Sequence, residues 1–144
     1  MLIPGSWRLS DDGAVRPTLT AFIEQADGNW YETLFLIDSG AGKTVFTADV
    51  AAALGLEPVS PAEQLGGVGG LVSSASFKTR IRLRCEDGSA ATIQGDFAAF
   101  TEKSALDFCV IGRDVLNIFV LVLDRRQERI YLVGPGHRCV IVPG

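Results

Sequence analysis

Leu34-Phe35-Leu36-Ile37-Asp38-Ser39-Gly40-Ala41 is the stretch on which the reading of this chain turns. Its four leading apolar residues predict a buried strand, so the carboxylate that follows is delivered at a strand end, where a rigid element gives way to a turn of small residues. Gly40 permits a close approach that a β-carbon would block, and Ala41 keeps the floor of a cleft open to a ligand. Taken alone, Asp38 reads first as a turn-capping aspartate, the commoner use of that residue.

The flanking sequence is strand-rich. Residues 18–25 carry Leu19, Ala21 and Ile23 at alternate positions, and Ala26-Asp27-Gly28-Asn29 supplies turn chemistry before Trp30–Ile37, which predicts a β-hairpin. Downstream, Ala75, Phe77, Thr79, Ile81, Leu83 and Cys85 alternate with Ser76, Lys78, Arg80, Arg82 and Arg84, a strand with one buried and one wet face. Asp87-Gly88 turns the chain into 91–93 and on to 97–100, and a turn at 124–128 joins 120–123 to 130–133. A short helix is predicted from the Thr47 cap through 50–54 to a left-handed stop at Gly55, and a second over 114–117. Pro58 and Pro61 bound a loop ending in Gly66-Gly67-Val68-Gly69-Gly70, whose ordering is entropically costly and which is therefore expected to move. Residues 1–16 read as turn-rich and loosely held, and 139–142 as an edge strand within or between chains.

At 144 residues the chain suits a single domain spanning 1–144. With 47% hydrophobic and 21% charged residues and a mean hydropathy of +0.26, it is too apolar for disorder, and a subunit interface would absorb the excess. The longest aliphatic-aromatic run, 118–123, is far short of a membrane span, and the start lacks the pattern of a secretory signal, so a cytoplasmic location is the expectation. A net charge of −4 argues against nucleic acid as partner. Cys85, Cys109 and Cys139 with the lone His137 make neither a disulfide framework nor a metal site, and read as buried thiols.

A second segment, Cys109-Val110-Ile111-Gly112-Arg113-Asp114-Val115-Leu116, repeats the design of a buried run ending in glycine and polar residues. The order Asp38-Ser39-Gly40-Ala41, glycine-rich segment, Val110-Ile111-Gly112-Arg113-Asp114 resembles the retropepsin-like aspartic proteases over about 18–133. The resemblance implies an all-β fold, a closed, mainly antiparallel acid-protease barrel with one or two short helices, working as a homodimer without a cofactor. It implies Asp38 as the catalytic residue, Ser39 and Gly40 as active-site scaffold, and Ala41 with the flap residues Gly67, Val68 and Gly69 as contacts for an extended peptide. Carboxylate counting agrees: the chemistry uses two aspartates sharing a proton, and the chain holds one Asp-Ser-Gly, so a second copy supplies the other. Such a pair titrates as a unit, and activity is expected at acid to near-neutral pH.

Viral members carry an acidic residue directly after the alanine, where it pairs with the arginine of the later motif. Here that position is Gly42, followed by Lys43, so Arg113 lacks its expected carboxylate and Lys43 predicts a preference for acidic substrate residues. Ser39 to Thr44 ends as a phosphate-binding loop does, but Ile37 stands where that loop needs glycine. The rival from another class is a dimer of the same fold that has lost turnover and serves as a peptide-binding or scaffolding module. The basic row Lys78 to Arg84 reads as a solvated strand face that deters edge pairing.

Overall fold

Phe35 and Ile37 point into the core while Leu34 and Leu36 stay half-buried, so the apolar run is a strand with two unlike faces rather than one enclosed on both sides. The computed structural model describes residues 1–67, 70–103 and 107–143, with the side chains of 60–72 left aside. In chain order the elements are β1 (Leu2–Leu9), β2 (Val15–Glu24), β3 (Trp30–Ile37), β4 (Val45–Phe46), α1 (Ala48–Leu54), β5 (Ser60–Gly67), β6 (Gly70–Arg84), β7 (Ala90–Phe100), β8 (Cys109–Ile111), α2 (Arg113–Leu116), β9 (Val120–Asp124) and β10 (Arg129–Val133).

The strands join in the order β5-β6-β7-β4-β8-β3-β2-β1-β10-β9, and β6 also pairs with β2. The expected closed, mainly antiparallel barrel is corrected on two counts. β3–β8 and β4–β7 pair in parallel, and β5 and β9 are left as edges, so this is a mixed sheet folded back on itself through the β6–β2 contact. The parallel β3–β8 pair follows from the chain path: β4 to β7 intervene in sequence between these two neighbours, and each leads into a turn at the same end.

Local readings fare well. The β2–β3 hairpin pairs Glu24 with Trp30 through Thr18 with Leu36, β6 pairs with β7 along its length, and β9 with β10. α1 is capped by Thr47, whose Oγ1 accepts from the Val50 N–H at 3.3 Å, and stops at Gly55 with φ 65°. α2 begins one residue earlier than predicted.

Three expectations fail. The first sixteen residues are not loose: β1 pairs with β10 over its first half and β2 over its second, with Ile3 buried. Gly5 sits at the crossover, where an added β-carbon would lie 2.6 Å from the Thr18 carbonyl oxygen. Residues 60–67 are not loop; β5 and β6 form a hairpin down to the Gly67–Gly70 pair. Residues 139–142 form no strand; Val140, Ile141 and Val142 are exposed coil, and Cys139 is exposed rather than buried.

The core is one cluster drawing on nearly every element, from Ile3 to Leu132. From the strands that carry the candidate site, Phe46 of β4 meets Phe35 of β3 edge-to-face at 6.1 Å between ring centroids and Phe97 of β7 in a tilted contact at 5.8 Å. Each buried phenyl contributes roughly 1.5–3 kcal/mol relative to exposure. No described helix is long and apolar enough to cross a membrane.

Candidate active site

β3 and β8 run parallel in register, Phe35 with Cys109, Leu36 with Val110 and Ile37 with Ile111, and the Asp38 N–H continues the ladder to the Ile111 carbonyl at 3.1 Å. The two runs that the sequence suggested as counterparts therefore end side by side, one on Asp38 and the other on Gly112. The chain turns at once after Asp38: the Ala41 N–H donates to the Asp38 carbonyl at 3.2 Å, and the Gly40 N–H donates to Asp38 Oδ1 at 2.9 Å. A β-carbon on Gly40 would stand 3.1 Å from that same oxygen, so any larger residue would press on the carboxylate. Asp38 is half-buried, while Ser39 and Gly40 are exposed.

The loop is braced from below. Thr44 is fully buried; its hydroxyl donates to Asp114 Oδ1 at 2.7 Å and accepts the Gly112 N–H at 3.1 Å. Its backbone N–H reaches both Asp114 oxygens at 2.9 Å, and Asp114 Oδ1 also accepts the Val115 N–H. The Arg113 N–H donates to the Ala41 carbonyl at 2.9 Å. Gly112 is needed here: an added β-carbon would lie 2.5 Å from the Lys43 carbonyl oxygen and 2.9 Å from that of Ala41. Sequence reasoning left Arg113 without a partner. Its Nη1 donates to the Ser39 carbonyl at 3.0 Å, a backbone oxygen taking the place of a carboxylate.

The structure thus assembles Asp38, Ser39, Gly40 and Ala41 with Gly112, Arg113 and Asp114 into one unit. Gly67 lies apart, at the end of the β5–β6 hairpin; among the described residues no hydrogen bond links it to the Asp38 loop, and Val68 and Gly69 fall outside the described residues. Lys43 is exposed on the same loop as Asp38. Leu34 and Leu36, on the outer face of β3, help line a cavity with Thr18, Leu9 and Phe108. His137 is remote from this chemistry: its Nδ1 meets the Met1 amino group. Cys109 lies under the site as a buried thiol pushed above the usual range by desolvation, which makes it a poor nucleophile. No group of His, Cys, Asp and Glu side chains among the described residues is arranged to hold a metal ion.

Residues 25–115, which hold the Asp38 loop and all of its braces up to Val115, match the sequence model of the aspartyl protease family. The chain belongs to the aspartyl protease family. Among solved structures, this aspartyl protease family member is similar to a retropepsin-like aspartic protease from Rickettsia conorii, at 18% identity and a TM-score of 0.59, over 92% of this chain and 97% of that one. That likeness makes the fold retropepsin-like. Lesser likenesses are to EIAV protease complexed with an inhibitor (25% identity, TM-score 0.48, 71% and 86% coverage) and to the retroviral protease-like domain of Ddi1 from Leishmania major (15%, 0.47, 83% and 96%). No curated protein matches the chain by sequence.

Proposed function

We propose that this aspartyl protease family member is an aspartic endopeptidase that acts as a homodimer, with Asp38 from each copy forming the catalytic dyad. One observation carries the reading. Asp38 is the carboxylate presented at the strand end, and the neighbouring Asp114 is committed to Thr44 and to the start of α2, so among the described residues of this loop and its braces one acid is left for the chemistry. A lone carboxylate can act as base or acid toward an amide, but the reaction needs both at once.

In the dyad, the ionised Asp38 takes a proton from water as its oxygen attacks the peptide carbonyl carbon. The protonated Asp38 of the other copy gives its proton to the carbonyl oxygen. Collapse of the resulting diol breaks the C–N bond and moves a proton to the leaving nitrogen, returning the pair to one shared proton. Two carboxylates face to face cannot both ionise cheaply, so turnover should follow a bell-shaped pH profile. Ser39, exposed in the single chain, would bond across the dimer beneath the acids, and Gly40 would contact the substrate backbone. Ala41 and the family's flap residues, here Gly67, Val68 and Gly69, would contact an extended peptide. Apolar side chains are the expected occupants, in keeping with the small side chain of Ala41.

The test is Asp38→Asn assayed on a mixed peptide library across pH, with sedimentation of the active wild type. Loss of cleavage together with dimers is expected. Cleavage by the mutant, or turnover by strictly single chains, overturns the dyad, and wild-type peptide binding without turnover at any pH favours the scaffolding module.

A further inference from the structure

Away from Asp38, Lys78, Arg80, Arg82 and Arg84 alternate along the outer face of β6 while Phe77, Thr79, Ile81 and Leu83 fill the core. The arginines are not free-floating. The Arg82 guanidinium lies 3.8 Å from the Trp30 ring centre and that of Arg84 4.9 Å from Phe22, so aromatic side chains on β3 and β2 hold both as flat platforms. Arg80 is tied to Glu24, with Nη2 2.7 Å from Oε1, which holds the Glu24 carboxyl below its ordinary range. Other acids face this surface: Asp96 stands opposite Lys78 in the β6–β7 ladder, and Glu32 opposite Phe22 in the β2–β3 ladder. Among the described residues, however, neither these nor any other carboxylate forms an ion pair with Lys78, Arg82 or Arg84. The β7 neighbours of Arg82 and Arg84 are Thr92 and Ala90, small and neutral residues, and the nearest acid to act on Arg82 is Glu24, which Arg80 already holds.

From this we infer that the outer face of β6 is a docking surface for an extended acidic segment of a partner protein, with Arg82 and Arg84 as its anchors. Alternate residues on a strand repeat every ~6.6 Å, and so do the carboxylates of an extended segment with Asp or Glu at every second position. Each guanidinium offers a two-pronged donor edge to a carboxylate, and the stacked rings have already met part of the ordering cost. A chain of net charge −4 repels acidic partners in general, so a local cationic row confines such binding to this face. The surface lies outside the Asp38 loop, and binding here stands or falls independently of proteolysis.

The probe is a fluorescent (Thr-Glu)6 peptide against its (Thr-Gln)6 counterpart and a 12-nucleotide single strand, titrated on the full chain at low and moderate salt. The Glu peptide should bind, the Gln peptide should bind at least tenfold more weakly, and salt should weaken the former. Arg82→Gln/Arg84→Gln should lose about tenfold in affinity. Arg82→Lys/Arg84→Lys, which keeps the charge and removes the stacked fork, should lose about threefold, and circular dichroism checks that both fold. Equal binding of the two peptides, wild-type affinity in the Gln double variant, or tighter binding of the oligonucleotide than of the Glu peptide overturns the inference.

Discussion

Thr44→Val tests whether the brace beneath the Asp38 loop is what holds the site. The substitution keeps the buried volume and removes one hydroxyl. The Gly112 N–H then loses its acceptor in a buried position, worth about 1–3 kcal/mol, and Asp114 Oδ1 loses one donor while keeping the Thr44 and Val115 N–H groups. The expected loss is about 3 kcal/mol out of a total of roughly 5–15 kcal/mol for a domain. Thr44→Ser is the control: it keeps both hydrogen bonds and removes one buried methyl, about 1 kcal/mol. Urea unfolding of the two variants should therefore separate them by about 2 kcal/mol, valine being the worse. Because Ala41 is held by the Arg113 N–H, next to Gly112 in the same network, peptide turnover by the valine variant should fall further than its unfolded fraction accounts for. If valine is no more destabilising than serine, the hydroxyl bridge is not what ties α2 to the loop, and the reasoning fails.

Gly112→Ala should lower the melting temperature by about 10 °C, since backbone oxygens 2.5 and 2.9 Å from the new carbon must move at a cost near 3 kcal/mol; an unchanged melting point would contradict the packing. In the native chain an aromatic disulfide reagent should titrate one fast thiol, Cys139, with Cys85 and Cys109 reacting only on unfolding; Cys139→Ser should abolish the fast phase. The Asp12 carboxyl is held below its usual 3.8 by its hydrogen bonds to Arg16, so its contribution to stability is present above that value and is lost as pH falls. Asp12→Asn should accordingly flatten the stability profile below about pH 4 in urea titrations. Lys43→Glu should shift cleavage preference away from acidic residues on a peptide library, and an unchanged profile would show that Lys43 does not face substrate.

What could be read from the sequence was local. The hairpins and α1 announce themselves through two-residue alternation, Asx-Gly turns, the Thr47 cap and the Gly55 stop, all resolved within about ten residues. The Asp38 loop was legible for the same reason, as a strand, an acid and a small-residue turn in succession. Its braces were not. Thr44 and Asp114 are 70 residues apart and Ser39 and Arg113 are 74, and no periodicity relates them. Arg113 was expected to seek a carboxylate, whereas a main-chain carbonyl met it first, an acceptor that every residue carries and no sequence reveals. β1 was misjudged because Pro4, Gly5 and Ser6 read as turn chemistry, and only the distant Ile130–Val133 and nearby β2 turn them into strand.

The pairing of Asp38 with Gly112 at the ends of twin strands bears on how such a chain could evolve. Gly112 ends the strand next to that of Asp38, and a β-carbon there would meet the main-chain oxygens of residues 41 and 43. If the dyad is built from two copies as proposed, a substitution at Gly112 does not supply the second acid. Doubling the gene in tandem would, with each half bringing its own acid and its own glycine.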